Sequence, residues 1–345
     1  LLLFQKGKNL LMDWDKCSVL ITGGNGFIGA NLIHRLINMD VPMIRVIDNM
    51  ERDKHYNLNN INEKVEFIQG DLRDKTVCLE ACKDIDIVFH FASKVGGIAF
   101  YKEYAADVLS YNISIDMQML EAARKTKIRR YIYLSSAYIY PLGRMQDPYS
   151  IPISEAEAIP AQPAISYGWA KLIGETALQY TVEQDQTMKG VILRLSNVYG
   201  PYQSMDLKRG SIIPVLIRRA IEYPDLKPYL IYGAGEETRS YCYISDALDA
   251  LCRAVEKLSE YQLIGPLNIG SEDRIRIIDL AGKIIDISGK KIKVERKKAP
   301  PPVLMSQTLD CSQANLVLAG WKTKVTIDEG LQRMYDYVND KMNFQ

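Results

Sequence analysis

The sequence has no excess of either charge. Its 345 residues include 43 Lys and Arg and 42 Asp and Glu. A surface without a strong net field does not attract nucleic acid or anionic lipid as a whole. We therefore expect neither a nucleic-acid partner nor a membrane partner.

Histidines and paired cysteines are also scarce. The three histidines (His34, His55 and His90) lie far apart, and the six cysteines show no CxxC spacing. Zinc sites need clusters of such ligands, so no metal site is expected. Unpaired cysteines suit a reducing compartment, which predicts a cytoplasmic protein. His90 ends an apolar run and is expected to be a buried, hydrogen-bonded structural residue.

Long apolar runs are missing as well. The opening segment Leu1–Met12 is too short to span a bilayer, contains two lysines, and is expected to be a terminal extension. The chain is nevertheless 47% hydrophobic, which is enough for a large core.

Short β-branched runs alternate with longer amphipathic segments through the first two-thirds of the chain. This pattern predicts βαβ units and a parallel sheet. The predicted strands are Ser18–Thr22, Met43–Ile47, Val65–Ile68, Ile85–His90, Tyr131–Ser135 and Val191–Leu195. The predicted helices are Gly26–Asn38, Ala105–Lys125, Ile165–Gln184 and, opened by a Ser/Asp cap, Ser245–Lys257.

These elements predict an α/β, doubly wound parallel-sheet Rossmann fold with a smaller C-terminal substrate lobe. We assign residues 1–200, plus about 241–265, to the dinucleotide-binding domain. Residues 201–240 and 266–345 form the predicted substrate lobe. In such folds the ligand lies beyond the carboxyl ends of the strands.

Glycines 23, 26 and 29 lie directly after the first strand, where the first predicted helix begins. Backbone without Cβ turns tightly there and lets a pyrophosphate approach the helix N-terminus. Asp48 closes the second strand about 20 residues further on, where a carboxylate accepts from ribose hydroxyls and repels a 2′-phosphate. NAD is therefore the predicted cofactor. The full predicted cofactor set is Gly23, Gly26, Phe27, Ile28, Gly29, Asp48, Asn49, Asp71, Leu72, Phe91, Ala92, Ser93, Lys94, Ser135, Tyr167 and Lys171.

Tyr167 and Lys171 are four residues apart on a predicted helix and therefore face the same side. A free tyrosine keeps its proton until about pH 10, but a neighbouring lysine favours the phenolate. Tyr167 is the predicted general base. Ser135 and Ser136 end the fifth strand, and Ser136 is the preferred partner of the same substrate oxygen.

The motifs together resemble the extended short-chain dehydrogenase/reductases, specifically the NAD-dependent nucleotide-sugar epimerases and dehydratases. They are Thr22–Gly29, Tyr167 with Lys171, Arg194–Pro201, Thr238–Tyr241 and Gly320-Trp321. The resemblance implies a transient 4-keto sugar, formed by hydride transfer to NAD, and a homodimer built through the helix that carries Tyr167. It implies that Asn197 and Arg239 hold the nucleotide diphosphate. The predicted substrate-binding residues are Gly97, Ser136, Tyr138, Asn197, Ser211 and Arg239.

Within that family, dehydratases and decarboxylases carry carboxylates just after the fifth-strand serine or threonine. This chain reads Ser-Ala-Tyr-Ile-Tyr from Ser136, without a carboxylate. Lys94–Ile98 and Ile139–Pro141 look like the GDP-mannose 3,5-epimerases and GDP-fucose synthases, but Tyr138 stands where those enzymes have a catalytic cysteine, and Ser211 lies near the place of their second acid/base residue. The sequence therefore favours a UDP-glucose 4-epimerase-like enzyme. A 4-dehydrogenase, a 3,5-epimerase and a non-catalytic NAD-binding protein remain as alternatives.

Overall fold

The protein is described here by a computed structural model that covers residues 12–51, 63–207, 210–298 and 304–343. The predicted extension before Met12 and His55 lie outside the described residues. Within the described ranges, no helix is both long and apolar enough to cross a lipid bilayer.

The described strands are β1 Ser18–Thr22, β2 Met43–Asp48, β3 Val65–Gln69, β4 Ile87–His90, β5 Arg130–Ser136, β6 Lys189–Leu195, β7 Val198–Tyr199, β8 Tyr229–Tyr232, β9 Thr238–Ser240, β10 Cys242–Tyr243, β11 Leu263–Ile269, β12 Arg274–Arg276, β13 Val294–Lys297 and β14 Ser306–Gln307. The described α-helices are α1 Phe27–Asn38, α2 Lys75–Ala81, α3 Ile98–Glu103, α4 Ala105–Lys125, α5 Ser166–Gln184, α6 Ile212–Ile221, α7 Ile244–Lys257, α8 Ile277–Ser288, α9 Ser312–Val317 and α10 Ile327–Asn343.

A seven-stranded sheet runs through the molecule in the order β11-β6-β5-β4-β1-β2-β3, and every neighbouring pair is parallel. Side chains of a strand alternate between its two faces. Accordingly, Val19 and Ile21 of β1 enter one apolar core, and Leu20 between them enters the other. The predicted doubly wound α/β fold is confirmed.

The strand order reverses between β4 and β1, which lie next to each other although β2 and β3 come between them in the chain. Loops leaving such a pair diverge to opposite sides, so a cleft opens at the carboxyl ends of the strands. The glycine turn after β1 and the loop after β4 border this cleft.

The C-terminal part of the chain forms smaller sheets: β7 with β10, β8 with β13, and β9 between β12 and β14. Along the same part of the chain, β11 returns to the large sheet and pairs with β6. The predicted dinucleotide-binding domain ends at about residue 265. The strand Leu263–Ile269 continues four residues past that boundary. The division into a dinucleotide domain and a substrate lobe stays a prediction.

One predicted helix cap is wrong. The helix expected to begin at Ser245 with a Ser/Asp cap begins at Ile244, and its N-cap residue Tyr243 makes no side-chain cap. The carboxylate of Asp246 instead accepts the backbone N–H groups of Lys324 and Val325, at 2.9 and 3.0 Å. The local pattern assigned the Asp246 carboxylate to the helix cap, but this carboxylate makes a long-range contact instead.

Candidate active site

A cavity of about 570 Å³ opens at the carboxyl ends of β1, β2, β4, β5 and β6. Its volume lies in the range of pockets that bind cofactors. Predicted residues that line it are Gly23, Gly26, Phe27, Ile28, Gly29, Asp48, Asn49, Leu72, Phe91, Ala92, Ser93, Lys94, Ser135, Ser136, Tyr167, Lys171 and Asn197. Most of the residues singled out from the sequence therefore meet in one place.

The turn after β1 forms a backbone cradle along one wall. Gly23 has φ of +66°, and a Cβ on it would approach the backbone of Ala92 to 2.8 Å. Gly26 is the N-cap of α1 and has no side chain to cap the first N–H groups of the helix. An anionic pyrophosphate fits this end of the helix because the backbone N–H groups and the helix dipole both favour negative charge.

Asp48 ends β2 and is held in place by two backbone donors. Its carboxylate accepts the N–H of Asn25 at 3.1 Å and that of Met50 at 2.9 Å. This carboxylate on the cavity wall suits the ribose hydroxyls of an adenosine. The residues present thus fit a dinucleotide.

Tyr111 and Glu51, which the sequence analysis missed, complete this end of the cavity beside the predicted Lys94. Tyr111 accepts a hydrogen bond from the Asn49 amide at 3.0 Å, and the Lys94 ammonium lies 5.1 Å from its ring centroid. Lys94 also forms a 3.7 Å ion pair with Glu51. Tyr104, Tyr111 and Ile115 recur at helical spacing and all line the cavity, a periodicity that could have identified this face of α4.

Asn112 is a second missed residue, and it fixes the loop after β4. Its Oδ1 accepts from the Ser93 hydroxyl at 2.8 Å and from the Lys94 N–H at 2.7 Å, while its amide donates to the Lys94 carbonyl at 3.1 Å. The side chain is completely buried. It therefore holds the loop after β4, which forms part of the cavity wall.

Tyr167 and Lys171 lie on the first two turns of α5 and line the cavity together. Lys171 is 2% exposed, and its ammonium lies 5.9 Å from the centroid of the Tyr167 ring. Burial lowers the pKa of Lys171, whereas the negative charges of Asp116 and Glu175 raise it. The arrangement is that of a phenol beside a buried cation, as expected for a tyrosine base.

The two serines at the end of β5 differ in their hydrogen bonds. The Ser136 hydroxyl accepts the N–H of Tyr138 at 3.3 Å, which leaves its proton available for donation. The Ser135 hydroxyl is buried, and no described residue gives it a hydrogen-bond partner. Both residues line the cavity, and the Ser136 hydroxyl is the one with a proton available to a ligand there.

Two tyrosine rings pack against Tyr167. Tyr101 stacks on it with ring centroids 5.3 Å apart, and Tyr138 meets it edge-on at 6.2 Å. Burial raises the pKa of Tyr138, and the charge of Arg239 opposes the shift. Tyr138 thus packs beside the Tyr167 ring without lining the cavity.

The remaining predicted residues also lie away from the cavity lining. Asp71 binds Arg73 in a 2.6 Å ion pair, and Arg239 donates to the carbonyls of Thr238 and Leu304 at 2.7 and 2.9 Å. Gly97 and Ser211 are the N-cap residues of α3 and α6. Their predicted roles, like those of the cavity residues, stay predictions.

His90 is fully buried and hydrogen-bonded, as predicted. Across the described residues, no group of three metal-ligating side chains occurs. All six cysteines fall in the described ranges, and each is a buried free thiol.

The family model described as the NAD dependent epimerase/dehydratase family matches residues 19–270, which is most of the chain. The chain belongs to this family. Its cofactor is therefore NAD, in agreement with the cradle and with Asp48. The match includes the glycine turn, Tyr167 and Lys171, and β11.

Relatives within the epimerase/dehydratase family have several activities. GDP-mannose 3,5-epimerase of Arabidopsis thaliana is 26% identical over 334 residues, which cover 95% of this chain and 84% of the relative. A putative UDP-glucose 4-epimerase of Methanocaldococcus jannaschii is 28% identical over 93% of this chain and 98% of its own length. The structure of UDP-glucuronic acid 4-epimerase from Bacillus cereus, in complex with UDP-glucuronic acid and NAD, has a TM-score of 0.80 and 28% identity, and covers 94% of this chain and 99% of that one.

Proposed function

We propose that this epimerase/dehydratase family member inverts C4 of a nucleotide-linked sugar through a transient 4-keto sugar. The observation that carries the proposal is the chemistry of the cavity wall. Its described lining contains two carboxylates, Asp48 and Glu51, and no histidine or cysteine. Asp48 ends β2 and Glu51 follows it, whereas Ser136 ends β5, three strands away. Neighbouring strands lie about 4.8 Å apart, so the two carboxylates lie about 14 Å from Ser136 across the sheet.

Oxidation and reduction at C4 need few groups. We propose that Tyr167 removes the proton from the C4 hydroxyl, that Ser136 donates a hydrogen bond to the same oxygen, and that the Lys171 ammonium stabilises the phenolate. NAD held by the glycine turn and Asp48 would supply the hydride acceptor for C4 and, once reduced, the hydride donor. When the keto group is reduced from the other face, Tyr167 gives the proton back to the oxygen. Solvent hydrogen is not required at any ring carbon.

The Arabidopsis relative favours 3,5-epimerisation as a second candidate. That reaction needs groups that remove and return protons at C3 and C5. Tyr138, at the position of the catalytic cysteine of the 3,5-epimerases, is one of the titratable residues beside Tyr167, but burial raises its pKa, which disfavours a base at neutral pH. The 4-epimerase therefore remains the stronger proposal.

The proposal extends to the oligomeric state and the location of the enzyme. Trp169, Ile173 and Tyr180 are 41%, 39% and 66% exposed, and their spacing places them along one side of α5. Exposed apolar side chains aligned in this way favour a homodimer that pairs α5 with its symmetry mate.

The free, buried thiols support a reducing, cytoplasmic location.

The test is to incubate the purified protein with UDP-, GDP- and dTDP-sugars in deuterated water and to follow the sugar by NMR. Inversion at C4 without deuterium uptake is the expected result. Tyr167→Phe should slow it by about 100-fold or more while NAD stays bound, because general base catalysis is lost. Tyr232→Phe, which changes a 54% exposed tyrosine on β8, is the matched control and should be unaffected.

Other outcomes contradict the 4-epimerase. Deuterium at C3 or C5 would show 3,5-epimerisation. Accumulation of NADH with a released keto sugar would show a dehydrogenase. Full activity of Tyr167→Phe would refute the mechanism, and absence of turnover with every sugar would favour a protein that only binds NAD.

A further inference from the structure

Behind Lys171 lies a buried polar cluster formed by His90 of β4, Asp116 of α4 and Tyr133 of β5. The side chains of His90 and Asp116 are 0% and 2% exposed. His90 Nε2 lies 2.9 Å from Asp116 Oδ1, and the Tyr133 hydroxyl donates to Asp116 Oδ2 at 2.6 Å. The proposed function gives this cluster no role.

The hydrogen bonds of Thr22 assign the proton on His90. The Thr22 hydroxyl oxygen accepts the N–H groups of Phe91 and Ala92, both at 3.1 Å. With both lone pairs engaged, its own proton goes to His90 Nδ1 at 2.9 Å. Nε2 therefore carries the imidazole proton and donates it to Asp116. Burial lowers the pKa of His90, in agreement with a neutral ring.

Asp116 thus accepts hydrogen bonds from two neutral donors and is a carboxylate. Among the described residues, no lysine or arginine lies within 4.0 Å of it. Glu175, the other carboxylate near Lys171, differs because Arg194 binds it through two hydrogen bonds of 2.9 and 2.7 Å. A buried carboxylate without a cation is costly, so the charge of Asp116 needs a counter-ion nearby.

The packing of α5 places Lys171 next to the cluster. A Cβ on Gly174, one turn after Lys171, would approach the Tyr133 hydroxyl to 2.1 Å and Asp116 Oδ2 to 2.6 Å. The Lys171 ammonium lies 4.5 Å from the centroid of the Tyr133 ring. The helix therefore rests directly on the carboxylate and its phenol donor.

We propose that Asp116 is the buried counter-ion of Lys171 and a positioning residue for the Tyr167–Lys171 pair. The proposal rests on the proposed function only for the roles of Tyr167 and Lys171. If the cluster only joins β4, β5 and α4, removal of the Asp116 charge will destabilise the fold without changing how Lys171 titrates.

Other titratable groups face this region from each neighbouring element. His90 of β4 is neutral, and burial raises the pKa values of Tyr131 and Tyr133 of β5, which keeps both phenols neutral. On α5, Glu175 is neutralised by Arg194 of β6, and Tyr167 is the reacting phenol itself. Asp116 is therefore the negative charge in the described surroundings of Lys171 that has no cation of its own.

The experiment measures Lys171 directly, without substrate. Lysine labelled with ¹³C at Cε is incorporated into the full-length protein, and the Lys171 resonance is assigned by its loss in Lys171→Arg. In Asp116→Asn, the titration of Lys171 should move to lower pH by about one unit or more, because an opposite charge that favours the ammonium is removed. Asp116→Ser should give the same shift if the asparagine variant folds poorly.

Tyr133→Phe is the matched control, since it removes a hydrogen bond from the same cluster but keeps the Asp116 charge. Its Lys171 titration should stay close to that of the wild type. A folded Asp116→Asn protein with an unchanged Lys171 titration would overturn the proposal, and so would an equal shift in Tyr133→Phe.

Turnover provides a second readout. In the pH profile of C4 inversion, the alkaline limb should move down in Asp116→Asn by the same amount as the Lys171 titration, because activity requires the ammonium. An alkaline limb that stays in place although the Lys171 titration has shifted would also overturn the positioning role. If no sugar is turned over, the proposed function fails, while the Lys171 titration still decides whether Asp116 is its counter-ion.

Discussion

Gly29 is the residue of the dinucleotide turn at which a side chain has least room. A Cβ there would lie 2.5 Å from Gly24 Cα and 2.7 Å from the Gly23 carbonyl oxygen, and both are backbone atoms. Flexible side chains can move away from an added methyl group, but a tight turn cannot. The third glycine of the motif therefore serves close packing of α1 on the turn.

We expect Gly29→Ala to destabilise the protein by about 1–3 kcal/mol and to reduce bound NAD, because the turn must shift to accommodate the methyl group. Urea unfolding and the NAD content of the purified variant measure the two effects. Gly282→Ala, on α8, is the control: its Cβ would meet nothing within 4 Å. Equal NAD content in both variants would show that the turn tolerates a side chain.

Residues predicted from the sequence and residues missed differ in the range of the interactions that define them. Gly23, Tyr167 and Lys171 belong to short motifs, so their spacing along the chain was sufficient to predict them as candidate site residues. Asp107 and Asp116 are both aspartates on α4, and the local sequence does not distinguish them. Only tertiary packing makes the first exposed and the second 1% exposed beneath Lys171.

At the scale of elements, α5 is fixed to the sheet by one buried ion pair. Arg194 of β6 binds both carboxylate oxygens of Glu175 and also donates to the Tyr140 hydroxyl at 3.1 Å and to the Glu155 carbonyl at 2.9 Å. Glu175 lies one turn after Lys171 on the same face of α5. The ion pair therefore helps to set where Tyr167 and Lys171 lie relative to β5 and β6.

Glu175→Gln should lower the free energy of unfolding by about 3–5 kcal/mol, because the Arg194 guanidinium is left buried without a countercharge. Glu329→Gln breaks the Arg333 pair, whose side chains are both 47% exposed, and should cost less than about 1 kcal/mol. Chemical unfolding of the two variants provides the comparison. Similar losses would mean that Glu175 is not needed to neutralise Arg194.

Elements were predicted best where local pattern and tertiary role agree. β1 and α4 have the predicted bounds, and β2 differs by one residue, since their apolar spacing is also their burial pattern. The seven-residue α2 was missed because two turns carry little periodicity. Two-residue strands such as β7 and β10 exist only as partners of each other, so no local pattern specifies them.

For the whole molecule, the exposed side of α5 predicts the oligomeric state. Light scattering after size exclusion should give about twice the chain mass of 39.2 kDa. Ile173→Lys combined with Tyr180→Lys should yield monomers, because charges at the centre of an apolar interface are left desolvated. Leu316→Lys changes an 83% exposed leucine on α9 and should remain dimeric. A monomeric wild type at micromolar concentration would contradict the dimer.

The return of β11 to the large sheet also affects how the chain is made. One edge of β6 has no partner until Leu263–Ile269 has been synthesised, about 70 residues after β6 itself. At roughly 5–20 residues per second, a ribosome takes about 4–14 s to cover that distance. During this interval the nascent chain presents an apolar strand with an open edge, which is a template for aggregation. The late strand therefore makes the emergence of β11 the moment at which the open edge of β6 is closed.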